Sequence, residues 1–145
     1  MHVAAMPESE RKPRMSPSLT IVSWVVRLVA AGILLQTLYF KFTAAPESVY
    51  IFTKIGAEPW GRIGSGIVEL ITAILLLIPA YAWLGGLLGV GIGLGAVISH
   101  LTVLGIEVQD DRGLLFGLAL TVLACSLFVL FLYRICIPLV GRSFA

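Results

Sequence analysis

Four apolar stretches, each close to the roughly 20 residues that cross a ~30 Å hydrocarbon core, constrain this chain more than anything else in it. They run from about Leu19 to Phe40, Gly61 to Ile78, Trp83 to Leu104 and Leu114 to Tyr133. The second is the shortest and contains Glu69. The first is interrupted by Arg27 and Gln36, and the fourth carries no charge before Arg134. No ten-residue alternation suggests barrel strands, so helices are the spanning form. Composition agrees: of 145 residues, 59% are hydrophobic and 12% charged, about half the charged share of a soluble domain, and mean hydropathy is +1.01. The expected fold is an all-α membrane protein, a four-transmembrane-helix bundle.

The connections refine this. Pro79-Ala80-Tyr81-Ala82 is so short that the helices on either side must be antiparallel neighbours. Residues 105–113 form a short acidic loop. About twenty residues join the first two spans, and there Pro46 followed by Glu47 is a helix start and Gly56 a stop. Val49, Phe52 and Ile55 recur at three-residue steps, which predicts a short interfacial helix between helices 1 and 2, with Trp60 as a headgroup anchor. Residues 1–18, polar and proline-bearing, read as a disordered cytoplasmic tail, 19–140 as the transmembrane domain and 141–145 as a short C-terminal tail. Five basic residues (Arg11, Lys12, Arg14, Arg134, Arg142) against four (Lys41, Lys54, Arg62, Arg112) favour both termini in the cytoplasm.

Several function classes are excluded. A net charge of +2 with scattered basic residues does not suggest nucleic acid. Cys125 and Cys136, if on one helix, stand about 16 Å apart, beyond disulfide reach. No serine–histidine–aspartate set, phosphate loop or paired-carboxylate signature is present, so no catalytic residue is assigned. One histidine with one carboxylate is a poor transition-metal site.

The polar residues inside the spans are the candidates for a site. Counting back from His100, Ala96, Gly93, Gly89 and Gly85 share one face, a stripe of small residues that lets a neighbouring helix approach closely. The same GVGIGLGA run looks superficially like a glycine-rich nucleotide loop but lies inside an apolar span with no strand before it. Arg62, Ser65, Glu69 and Thr72 line one face of the second span. Glu69 lies about 9–12 Å and His100 roughly 7 Å below the same surface. Helical side chains tilt toward the N-terminus, so the two lean toward each other. The expectation is a polar intramembrane pocket around Glu69 and His100, with Ser65 nearby and Lys41 closing the cluster or capping the membrane boundary. Arg27 either pairs within the bundle or snorkels to the headgroups. A mid-membrane carboxylate needs compensation whatever its purpose, so this network reads either as structural or as a ligand- or proton-handling site.

The ordered segments LLQTLYFKFT, APESVYIF, GAEPWGR, GIVELITAILLLIP, GAVISHLTVLGIEV and GLLFGLAL resemble the DoxX-like family of small bacterial membrane proteins over roughly residues 24–135. The resemblance implies a four-helix membrane bundle, and Arg27, Lys41, Glu47, Glu58, Arg62, Glu69 and His100 as the recurrent polar motif positions. It also implies residence in the bacterial inner membrane and association with quinol- or thiosulfate-linked redox complexes. The leading expectation is a non-catalytic subunit or partner in a quinone-linked redox or stress-response system, contacting a redox-complex protein or a second copy of itself, with a quinone-like lipophile beside Glu69 and His100. The alternatives are a small proton-coupled carrier using Glu69 and a structural assembly factor.

Overall fold

The computed structural model describes residues 15–134, which form five α-helices and, among those residues, no strand. These are α1 (Pro17–Phe42), α2 (Pro46–Ile55), α3 (Trp60–Leu77), α4 (Ala82–Ser99) and α5 (Leu114–Leu132). All but α2 are long and apolar enough to cross a membrane. The chain is an all-α, multi-pass membrane protein. The 1–14 part of the expected tail, the 141–145 tail, Cys136, and the flanking Arg11, Lys12, Arg14 and Arg142 lie outside the described residues.

Helix boundaries follow local chemistry. Helix α1 starts two residues earlier than the hydrophobic pattern predicts, because Pro17 occupies the first turn and the Ser16 hydroxyl accepts the Leu19 N–H at 3.3 Å. Residues 17 and 18, expected in the tail, are therefore helical. Helix α2 runs from Pro46 to the residue before Gly56, whose φ of +82° suits glycine. Trp60 is the exposed first residue of α3. The third predicted span, read as one helix to Leu104, changes character at Ser99: His100–Leu104 winds as a π-helical turn, closed by the Gly105 N–H on the His100 carbonyl at 2.8 Å.

The spanning helices close into a ring. Helix α1 packs on α3, α3 on α4, α4 on α5 and α5 back on α1. Chain direction alternates, so the starts of α1 and α4 and the ends of α3 and α5 share one end of the bundle, here the terminal end. Helix α2 roofs the other, touching α1, α3 and the π turn. The core is made of small and branched residues, among them Ala30, Ala31, Leu34, Ala73, Leu76 and Val129, while large apolar side chains such as Ile21, Leu101 and Phe131 face outward. In lipid that inversion is expected, since helix association depends on close approach rather than on hiding apolar area.

The small-residue stripe of α4 serves two neighbours, not one. A Cβ added at Gly85 would stand 2.7 Å from the Leu76 backbone nitrogen of α3, and at Gly93 2.8 Å from Leu123 of α5. Gly89 lies between Ser126 of α5 and Thr72 of α3, and Ala96 is half-buried. Gly86, off the predicted stripe, packs on the α5 backbone at Ser126 and Leu130. Helix α4 is wedged between α3 and α5, so its small residues spread over a wider arc than one stripe.

Candidate functional site

Polar chemistry gathers at the two ends of the α1–α3 seam. At the α2 end, Lys41 stands in the last turn of α1 and its ammonium forms an ion pair with Glu69 Oε1 of α3. Both side chains are mostly buried, 14% and 7% exposed, so the pair is shielded and its partners are not free to part cheaply. Side-chain tilt produces the meeting: Lys41 leans back into the bundle, and Glu69, on an antiparallel helix, leans out toward the α2 end.

Thr37, one turn before Lys41, completes the group. Its Oγ1 lies 2.7 Å from Glu69 Oε2 and 2.7 Å from the Leu34 carbonyl. A hydroxyl has one proton to donate and two oxygens ask for it. The Thr37 hydroxyl thus stands between the backbone of α1 and the carboxylate of α3, and its one proton is shared between them.

Arg62 builds the rim. Its Nε donates to both Glu58 oxygens, at 2.8 and 3.0 Å, and its Nη1 donates to the Lys41 carbonyl. That carbonyl belongs to the last turn of α1, whose oxygens have no helical N–H to accept from. In lipid such an oxygen is costly unless satisfied, so Arg62 both caps α1 and fixes the backbone that carries Lys41. The Phe52 ring of α2 lies 5.6 Å from the Lys41 ammonium and encloses it from the roof.

His100 belongs to a different assembly. Its ring is 5% exposed, its Nδ1 lies 2.8 Å from the Gly105 carbonyl, and the Phe116 ring meets it edge-on at 5.5 Å. A carbonyl only accepts, so Nδ1 is the protonated nitrogen. Nearby, Asp111 accepts the backbone N–H groups of Val108, Gly113 and Leu115, each at 2.9 Å, folding the 105–113 loop onto the start of α5. Burial raises the Asp111 carboxyl, but these three bonds, together with the adjacent His100, outweigh it and hold the group below its ordinary value.

The expected cluster is thus corrected in its partners. No hydrogen bond joins Glu69 to His100; the carboxylate is taken by Lys41 and Thr37, and the imidazole by Gly105. Ser65 donates to the Arg62 carbonyl of its own helix at 3.1 Å, not to Glu69. Arg27 neither snorkels nor approaches Glu69. It is fully buried at the terminal end, where Nε donates to the Leu76 carbonyl in the last turn of α3 and Nη1 donates to the Tyr133 hydroxyl at 3.3 Å. Of the other polar positions singled out from the sequence, Glu47 is exposed and Glu58 holds Arg62.

Thr37, Ser23 and Tyr133 were not legible as site residues. Thr37 had a signal, lying four residues before Lys41 on the same face. The Glu58–Arg62 pair had one too, acid before base at four-residue spacing. Among the described residues no group of three or more histidine, cysteine or carboxylate side chains is placed to hold a metal. Compared with protein-family models, curated proteins and solved structures, the chain matches none.

Proposed function

We propose that this chain is a DoxX-like inner-membrane protein of bacteria with both termini cytoplasmic. In this reading it is a non-catalytic subunit or partner in a quinone-linked redox or stress-response system, and Lys41, Glu69 and Thr37 receive the head of a quinone-like lipophile. The observation that supports this reading is the shielded Lys41–Glu69 pair beneath α2. A quinone presents carbonyl acceptors and a quinol presents hydroxyl donors. An ammonium beside a carboxylate offers both a donor and an acceptor, so one pair can hold either state.

The test is organic extraction of the protein purified from its native membrane, with benzoquinones and naphthoquinones quantified by chromatography. The expected result is a near-stoichiometric quinone that is lost from folded Lys41→Met and Glu69→Gln proteins and kept in His100→Ala. Equal quinone in all four proteins, or none in the parent, rejects the reading.

A proton-coupled carrier using Glu69 is the second reading, and the burial of that carboxylate within a span supports it. It predicts pH-driven movement of a solute into proteoliposomes that Glu69→Gln abolishes. If neither quinone nor transport is found, a structural assembly role or self-association remains.

A further inference from the structure

At the terminal end of the ring, Arg27 is a buried cation with no acid beside it among the described residues. Every acidic residue among those described, namely Glu47, Glu58, Glu69, Glu107, Asp110 and Asp111, lies on the α2 side of the bundle. The guanidinium is 0% exposed. Its compensation is neutral throughout: the Leu76 carbonyl at the negative end of α3, the Tyr133 hydroxyl, and the Trp24 ring at 4.1 Å. The Tyr133 hydroxyl is shared with Ser23 Oγ at 3.1 Å. Among the described residues, Nη2 has no hydrogen-bond partner. Of its five N–H donors, both on Nη2 and one on Nη1 are left without a partner among the described residues, in a place where an uncompensated charge is among the costliest things a protein can hold.

Its level in the bundle says what could pair with it. Arg27 stands beside Leu76, the penultimate residue of α3, and Tyr133, just past α5. Helix α1 continues for ten more residues, about 15 Å, beyond that level. The group thus sits at the level where three of the four spans end. Trp24, one turn earlier, covers it from the exposed side.

We propose that Arg27, with Tyr133 and Ser23, is an anion site that takes a phosphate oxygen on Nη2, beside the Trp24 ring that lies over the guanidinium. A guanidinium is suited to this ligand because its planar donors match phosphate geometry and it stays charged. The same chemistry is offered by an anionic lipid headgroup and by free phosphate, and the experiment separates them. The site is independent of the Lys41–Glu69 reading and lies at the other end of the molecule.

The test places the full chain, with Trp60→Phe and Trp83→Phe so that Trp24 alone reports, in phosphatidylcholine nanodiscs with or without phosphatidylglycerol, and separately adds inorganic phosphate. The expected result is a saturable change in Trp24 emission. A response to phosphatidylglycerol only identifies the headgroup; a response to inorganic phosphate in pure phosphatidylcholine identifies the free anion. Arg27→Gln abolishes it. Tyr133→Phe, which keeps the charge and removes the Nη1 partner, weakens it about tenfold, the effect of one lost charge-assisted hydrogen bond. No response of the parent to either anion overturns the proposal, whatever the variants do, and so does an Arg27→Gln protein that responds like the parent.

Discussion

Glu69 pairs with Lys41 rather than His100, although the sequence argument for one partner applies equally to the other. Both α1 and the α4 span run toward the α2 end, so both side chains lean inward to meet a carboxylate leaning outward. What separates them is rotation about the helix axis. The face of α1 carrying Thr37 and Lys41 meets α3, whereas the π turn swings His100 toward Gly105 and Phe116. Spacing reveals depth and tilt; it does not reveal a local change of helical period. The loop carboxylate Asp111 was likewise invisible as anything more than part of an acidic run, because its role depends on three backbone N–H groups that only the folded loop presents. Its depressed carboxyl sets a sign. Stability carried by ionised Asp111 is complete above the ordinary aspartate value of 3.8 and is lost as pH falls below it, through the lower folded-state value. Thermal unfolding in detergent from pH 7 to pH 3 should show this acid limb. Asp111→Ala should flatten it and cost about 1 kcal/mol at neutral pH, as for other side-chain caps.

The helices that announced themselves chemically were the legible ones. Helix α2 was fixed by Pro46 and Gly56, and the early start of α1 was written in Ser16 and Pro17 but hidden under a tail-like composition. Helix α4 was recognisable as a packing element from its small residues, yet their division between α3 and α5 was not, because a one-dimensional stripe cannot say that a helix has two neighbours. The same geometry sorts its glycines. Gly85→Ala places a methyl group 2.7 Å from the Leu76 backbone, which cannot step aside, and should destabilise by about 1–3 kcal/mol. Gly91→Ala and Gly95→Ala meet nothing within 4 Å, and should be neutral or stabilise by up to about 1 kcal/mol through helix propensity. Melting of the purified variants in one detergent checks the order; equal losses at Gly85 and Gly95 would reject the wedge.

Taken as a molecule, the bundle is a ring whose α1–α3 seam is pinned at both ends by side chains that reach across it. Arg62 caps the last turn of α1 while Arg27 caps the last turn of α3, each satisfying a carbonyl that lipid could not. The Lys41–Glu69 pair lies just inside the first of these caps. Four spans and their alternation were readable because hydrophobic length is read directly against membrane thickness; the reciprocal capping was not, since Arg27 and Arg62 find their carbonyls only once α1 and α3 lie side by side. The decisive measurement is a double-mutant cycle on unfolding in detergent at positions 41 and 69. Lys41→Met and Glu69→Gln should each cost about 3 kcal/mol by stranding the other charge, and the double variant should fall short of their sum by about 2 kcal/mol, while His100→Ala and Glu69→Gln add. Strict additivity between 41 and 69, with strong coupling between 69 and 100, would contradict the assignment of Lys41 as the partner of Glu69.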